Sequence, residues 1–551
     1  MERYYMITTI IKTTRNVYKE RFMKSNSIKI IVILFILFII AGVVYFLLQN
    51  PFQEQEENQE ITYETVNMIT NMRLGISDYD NIHPYLTQNR EILYLDQLIF
   101  EPLLTITKDY HITTCLAQEW SKVGEKSYVI KLKENVKWQD GSDFTAEDVK
   151  FSIETLQKTT NSIYIENVKE ISKVEIVDEH TIRIELNKAI PFYEYNLIFP
   201  IISSKQYKKQ DLEKSTQIPV GTGKYQITKM TKDSIELTRN NNYRESNLNN
   251  QNMKTIEIFL YDTMGEVYNE FKLGNIDFFH TANHNIEEYI GSMGYGKKVY
   301  GNREYDYLAI NCQDTILQYQ EVRKAISLSM NQEKMVASVL EDQAIASYFP
   351  LDANSYLLNE INVKQESNTE KAKETLENAG WSYEYGIWQK EIEGRTKTLN
   401  FTLSVRKSDE TRVKVAQEIK KELENVGIKV SIEQISDTQY QKYLANHQYE
   451  ILLTGVNTSL SPDLSGFLGQ GNLANYENEE IKQILQELNN ITEETLQKEK
   501  YQRIVEIYQE EVPYIGLYRN QEIVAYSANL MGEVQPNHYS IYYHLEEWYR
   551  Q

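Results

Sequence analysis

A chain of 551 residues is longer than one hydrophobic core normally supports, so two or three domains are expected. Its 41% apolar and 25% charged residues are the balance of a globular protein and exclude a disordered chain. A formal charge of −21 excludes nucleic-acid binding through phosphate contacts.

The charge is unevenly placed. Residues 1–29 carry seven Lys or Arg against Glu2 and Glu20, a net of +5. Ile30 to Leu48 follows, nineteen residues without a charge, long enough to cross a hydrocarbon core as a helix. Basic residues before this run and Glu54, Glu56 and Glu57 after it orient the N-terminus to the cytoplasm and the bulk of the chain outside. Neither a small-x-small cleavage site nor a Cys follows the run. An uncleaved single-pass anchor in the cell membrane is therefore expected, rather than a signal peptide or a lipoprotein. Met23 is an alternative start, with residues 1–22 as an extension. Gln49 to Glu60 is Gln/Glu-rich and reads as a solvated spacer.

Beyond the spacer, Thr65 to Ser77 reads as an opening strand. Tyr128, Ile130 and Leu132 alternate with Val129, Lys131 and Lys133, the period of a half-buried strand. Asp140-Gly141 is a tight-turn dipeptide. Thr145-Ala-Glu-Asp148 is a capping box, and Val149, Ile153 and Leu156 then share a helical face. Asp178-Glu-His180 joins two strand-like runs, 174–177 and 181–186, as a hairpin. Pro219-Val-Gly-Thr-Gly-Lys-Tyr225 has two glycines, expected to let the backbone turn sharply. His280 and His284 have the spacing of one helical face, but with no third ligand close by no metal is expected. A helix with Ala372, Leu376 and Ala379 stops at Gly380. Leu399, Phe401, Leu403 and Val405 alternate, Val415, Ile419 and Leu423 form a helical stripe ending at Gly427, and Ile428, Val430 and Ile432 alternate again. Strand, helix and strand with short links imply a parallel pair with a right-handed crossover. Cys115 and Cys312 read as two buried thiols rather than a bridge. There is no Gly-x-Ser-x-Gly elbow, phosphate loop or His-Glu-x-x-His, so neither an enzyme nor a cofactor is expected.

Phe100-Glu101-Pro102-Leu103, Leu116-Ala117-Gln118-Glu119-Trp120 and Asp140-Gly141 through Val149 together resemble the signature region of one family. It is that of the solute-binding proteins of peptide and nickel ABC importers, the oligopeptide- and dipeptide-binding family. Pro102 departs from that family's Gly, and Lys224 from its Pro. Asn81 to Pro84, Pro219 to Tyr225, Arg239 to Tyr243, Leu273 to Asp277, Tyr307 to Asn311, Val322 to Ile326, Lys371 to Trp381 and Pro513 to Tyr518 extend the resemblance over about residues 65–545. It implies an α/β, two-lobed periplasmic-binding-protein-like fold of type II, in the large cluster with an extra subdomain, whose cleft closes by a hinge. Lobe I is expected from residues 62–97, 196–306 and 520–551, the subdomain from 98–195 and lobe III from 307–519. Residues 1–29, 30–48 and 49–61 are the basic segment, the anchor and the spacer. Trp120, Trp138 and Trp381 fall at structural positions.

The resemblance also implies a function: capture of oligopeptides in the interlobe cleft for an ABC permease and its ATPases, by a monomer on the extracytoplasmic face. The alternatives are a peptide-sensing receptor or a nickel-binding protein. Relatives carry Trp-x-x-Asp-x-x-Asp/Glu-Pro, whose first Asp pairs with the peptide amine. Anchored on Pro462, this chain has Gly455 at the Trp, Thr458 at that Asp and Ser461 at the second acid, so all three depart. Either Asp463 or another carboxylate serves the amine, or the guest has no free amine there. Asn457 and Ser459 belong to the same stretch and are candidate contacts. On the other wall, Gln88, Asn89 and Arg90 fall where relatives touch the peptide backbone, and Arg90 is a candidate partner for a guest carboxylate. His447 lies just before the binding stretch and reads as a packed residue. A chain anchored by residues 30–48 should stay in the membrane pellet through alkaline carbonate extraction; quantitative release would remove the anchor.

Overall fold

The computed structural model describes residues 69–210, 212–215, 217–244 and 253–551; the segments 1–29, 30–48 and 49–61 lie outside the described residues. Among the described residues no helix is long and apolar enough to cross a membrane. The opening strand is described from Asn71 to Ser77 (β1), shorter than expected, and 65–68 lie outside. Helix α1 (Arg90–Ile99) begins at Asn89, whose side chain accepts from the Ile92 amide at 3.1 Å. A separate antiparallel sheet follows, built from β2 (Ala117–Lys122), β3 (Ser127–Leu132), β4 (Ile171–Asp178) and β5 (Thr181–Leu186) in the order β2-β3-β5-β4. Helix α2 (Ala146–Leu156) packs on β4 and β5. Its start is the expected one: the Asp148 carboxylate accepts from the Thr145 amide at 3.0 Å, and Val149, Ile153 and Leu156 are buried.

The glycines of 219–225 have a different reason from the one expected. Neither has a positive φ. A Cβ on Gly221 would lie 1.9 Å from the Ile99 carbonyl oxygen, and one on Gly223 2.5 Å from that of Leu98. The loop presses its backbone against the end of α1, where the Gly223 amide donates to the Ile99 carbonyl at 2.8 Å. Only a residue without a side chain permits that approach.

The main sheet takes its remaining strands in chain order: β6 (Tyr225–Met230), β7 (Ser234–Arg239), β8 (Thr255–Tyr261), β9 (Phe278–Thr281), β10 (Tyr295–Ile310), β11 (Ala344–Ala346), β12 (Asn400–Arg406), β13 (Lys429–Ile435), β14 (Ile451–Asn457) and β15 (Tyr514–Ser527). Their order is β13-β12-β14-β10-β15-β9-β1-β8-β7-β6, with β11 paired to β15 off this path. The unit at 399–435 has the expected form. β12 and β13 pair in parallel, and the helix between them, α3 (Glu410–Asn425), buries Val415, Ile419 and Leu423. Gly427, at φ +89, turns the chain back.

Successive residues of β10 face opposite sides of the sheet and join different cores. Leu308 and Ile310 pack with Leu403 and Ile419, whereas Tyr305 and Tyr307 pack with Tyr501 and Tyr514. A third core joins Leu74, Leu95, Ile130 and Ile184, so β1, α1 and the four-stranded sheet share one apolar interior. Trp138 and Trp381 are buried, Trp120 is half-buried, and Cys115 and Cys312 are free thiols. Replacing Gly221 by Ala forces a Cβ into a backbone carbonyl and is expected to cost about 1–3 kcal/mol. Thermal unfolding should show a lowered midpoint for Gly221→Ala and none for Gly466→Ala, whose Cβ would meet nothing within 4 Å.

Candidate functional site

β10 and β15 run side by side through both halves of the sheet. Residues 295–301 of β10 pair with 527–521 of β15, beside β9; residues 305–309 pair with 519–514, beside β14. Between these stretches the register slips, and Asn302, Arg303 and Glu304 oppose Asn520 alone. Such bulges re-aim side chains and loosen the ladder locally. A cavity of 680 Å³ opens at this slip. Arg90, His284 and Glu522 line it from one half, Gln343, Thr411, Lys414 and Asn457 from the other, and Asn302, Arg303, Glu304 and Asn520 from the slip itself.

Glu522, 2% exposed, is the centre of a buried network. It pairs with Arg90 and accepts from His280 Nε2 at 3.0 Å, the Tyr300 hydroxyl at 3.0 Å and Asn302 Nδ2 at 3.3 Å. Burial pushes this carboxyl up, but the hydrogen bond and charge of His280, the charge of Arg90 and the Tyr300 hydrogen bond outweigh it and hold it at about 2. His280 also meets Glu91 through Nδ1 at 2.8 Å. Burial works against its charged form, yet the hydrogen bonds to Glu522 and Glu91 raise its pKa above 6.5. Both ring nitrogens face carboxylate oxygens, an arrangement that favours the charged form of the ring.

The opposite wall is held by Arg303 and Thr458. Arg303 Nε donates to the Thr458 carbonyl at 2.6 Å, while the Thr458 amide and hydroxyl donate to the Arg303 carbonyl at 2.9 and 3.2 Å. Arg519 Nη1 donates to Thr458 Oγ1 at 2.9 Å. Thr458 and Ser459 line a small neighbouring cavity with Tyr110, Asp352 and His538. Burial and the charges of Arg303, Arg519 and Arg90 lower the His538 pKa well below 6.5, so it is neutral.

The residues expected from the sequence have varied places. Arg90 and Asn457 line the large cavity, but the Arg90 guanidinium is already taken by Glu522. Asn89 caps α1 and donates to the Ser77 and Asp78 carbonyls at 2.8 and 2.9 Å. The Gln88 carboxamide reaches the Asn161 carbonyl at 2.8 Å. Asp463 accepts from the Ser465 amide at 2.9 Å and hydroxyl at 2.6 Å, closing a local turn. Gly455 lies under an ion pair: a Cβ there would meet Asp306 Oδ1 at 1.9 Å and Arg412 Nη2 at 2.3 Å. That pair is bidentate, at 2.7 and 3.1 Å.

The helical face expected for His280 and His284 does not form. His280 is in β9 and His284 in the loop after it, because Phe278 and Phe279 belong to a buried strand. With both nitrogens of His280 facing carboxylates, that ring has no lone pair to offer a metal. Among the described residues no three His, Cys, Asp or Glu side chains are placed to hold one. His447 meets the Asn475 carboxamide at 3.1 Å. Sequence reasoning missed Glu522 and Arg303. A lone acid ahead of Ile523-Val-Ala-Tyr526 is a signal for a buried partner; Arg303 has no such local mark.

Two halves sharing one sheet, with a cavity where the shared strands slip, define a two-lobed binding protein. Residues 111–522 match the model of the bacterial extracellular solute-binding proteins, family 5 Middle, and the chain belongs to that family. It is 23% identical over 480 residues to the oligopeptide-binding protein AppA of Bacillus subtilis, covering 83% of this chain and 87% of AppA. Its fold is similar to that of the periplasmic murein tripeptide-binding protein MppA in an unliganded open form (TM-score 0.76, 16% identity, 88% of this chain and 98% of that one). It is also similar to a nickel ABC transporter protein from Bacillus halodurans (TM-score 0.73, 21% identity, 87% of this chain and 100% of that one).

The network sets a pH window. Glu522 is held below its ordinary 4.5, so its contribution to stability is complete above 4.5 and drains away as pH falls toward about 2. His280 is raised above 6.5, so its contribution is complete below 6.5 and is lost as pH rises through the elevated value. Chemical denaturation across this range should show stability falling on both sides. Glu522→Gln should flatten the acid limb.

Proposed function

We propose that this chain is the receptor of an ABC importer and captures oligopeptides in the cleft at the strand slip. It then hands them to a membrane permease driven by its ATPases. The carrying observation is the chemistry of the cavity wall. Asn302, Gln343, Asn457, Asn520 and Gln521 all line it, and the carboxamides of Gln343 and Asn457 make no protein hydrogen bond among the described residues. A carboxamide both donates and accepts, so it suits peptide main chain whatever the side chains are. AppA and MppA, whose names specify peptides, support the same guest.

In this reading the two halves swing about the slip and shut over the guest, which stabilises the closed state through its higher affinity for it. The chain works by binding alone, as a monomer. Residues 30–48 hold it to the membrane, with the described region on the extracytoplasmic face. Native mass spectrometry of the purified full chain is the direct test. A ladder of peptide masses is expected on the protein, and a single non-peptide mass would overturn the reading.

A further inference from the structure

We propose that Asp96 is a proton-controlled brace for one wall of the cleft: it seats α1 while its carboxyl carries a proton and loosens α1 when the proton leaves. The link to the cleft rests on the reading above; the proton has its own grounds.

α1 is a wall element. Arg90 at its start lines the 680 Å³ cavity and pairs with Glu522, and Glu91 meets His280 at 2.8 Å. Its far end is pinned by the glycine loop, where the Gly223 amide donates to the Ile99 carbonyl at 2.8 Å. Asp96 lies between these two fixtures, about 9 Å along the axis from Arg90. It is 0% exposed, and neither carboxyl oxygen has a hydrogen-bond partner among the described residues.

The groups around it bring no positive charge. Tyr79 comes from the loop before α1, Tyr164 from the turn before the short helix Ile165–Val168, and Tyr207 from the short helix Ser204–Tyr207; the charge of Asp96 reaches all three. The ring of His83 lies 4.9 Å from that of Tyr207. Its Nδ1 accepts from the Tyr85 amide at 3.1 Å, and burial lowers its pKa to about 4, so the ring is neutral with its proton on Nε2. Neither that nitrogen nor the Tyr207 hydroxyl has a partner among the described residues. The one charge that acts on Asp96 is that of Asp80, a second acid.

An ionised carboxylate here is desolvated, unpaired and repelled by Asp80; a protonated one is neutral and gains an O–H donor. Burial, then the charge of Asp80, accordingly raises the Asp96 pKa well above 3.8. When the proton leaves, the cost falls on a helix fixed at both ends, and the displacement is passed to Arg90 and Glu522 at the cavity.

Below 3.8 the folded and unfolded chains both hold the proton, and this group takes nothing from stability. Above that value the unfolded chain releases it and the folded chain does not. The folding constant then falls about 10-fold per pH unit until Asp96 ionises in place.

Chemical denaturation of the full chain isolates this effect against Asp96→Asn, which keeps the shape and cannot ionise. Between 4.5 and 6.5 the contributions of Glu522 and His280 are both complete. In that interval the native chain should lose about 10-fold per pH unit relative to the variant. Infrared spectra there should show a protonated-carboxyl band that Asp96→Asn lacks. Asp80→Asn, on an exposed loop, should end the decline at lower pH, and it decides the matter if Asp96→Asn does not fold. Parallel slopes, a missing band or an unmoved Asp80→Asn profile overturns the protonated acid. So does native stability that depends on potassium against tetramethylammonium when that of Asp96→Asn does not, which marks a bound cation instead. Hydrogen exchange in α1, corrected for its own pH dependence, should quicken with rising pH in the native chain alone; equal exchange overturns the brace. These readouts use no guest, so their failure leaves peptide capture standing. Native mass spectra without peptide remove the capture reading and leave the protonated acid intact.

Discussion

Main-chain pairing between β10 and β15 is the constraint on which both halves depend. The sheet around β9, β1 and β8 takes β15 as its neighbour, and the sheet around β14, β12 and β13 takes β10. Each strand's hydrogen bonds are needed on both sides of the slip, since buried amides and carbonyls left unpaired are costly. Freedom is thereby concentrated in the few residues where the ladder is already broken, 302–304 against Asn520. The same residues line the cavity. Bending and recognition share one short stretch of chain, so a guest that touches this stretch acts directly on the angle between the halves.

Several buried charges flank that stretch. On one side Glu522 has Arg90 and His280, and Asp277 has Arg73 at 2.7 Å and Arg550 at 3.1 Å, whereas the Asp96 carboxyl, buried on α1, has no hydrogen-bond partner among the described residues. Asp306 and Arg412 pair just beyond, over Gly455. Among the described residues, Arg303 and Arg519 donate only to neutral oxygens. In a low-dielectric interior a matched ion fixes local geometry, whereas an unmatched one creates demand for a partner.

Legibility in the sequence followed locality. The capped helix at Thr145, the hairpin at 178–180 and the unit from β12 to β13 were readable because their signals lie within a few residues of one another. The family resemblance extended this to the two-lobed plan. The crossing of β10 and β15 was not readable, because it joins residues such as Tyr295 and Ser527, more than two hundred positions apart. The glycines at 221 and 223 looked like turn residues until their neighbour, the end of α1, was known. His280 suffered the same ambiguity: a spacing of four fits a helix, but buried neighbours on β9 decided for a strand. Of the candidate site, Arg90 and Asn457 reached the large cavity. Asn89 and Asp463 are engaged in local turns and caps, tasks that short polar side chains perform as readily as ligand contact.

The position of β15 has a consequence for how the molecule assembles. Its pairing with β9 joins Phe278 to Tyr526, and the final residues reach back further, with the Arg550 amide and carbonyl both bonded to Ile69. The half that is synthesised first is thus the last to be completed. Until the C-terminus emerges, β9 has an unpaired edge, the kind of surface that recruits strands from other chains. Closing so long a loop is entropically slow, so the nascent protein must pass through an interval in which its first lobe exists as an unfinished sheet. Loss of even the last few residues would damage the part of the molecule made at the beginning.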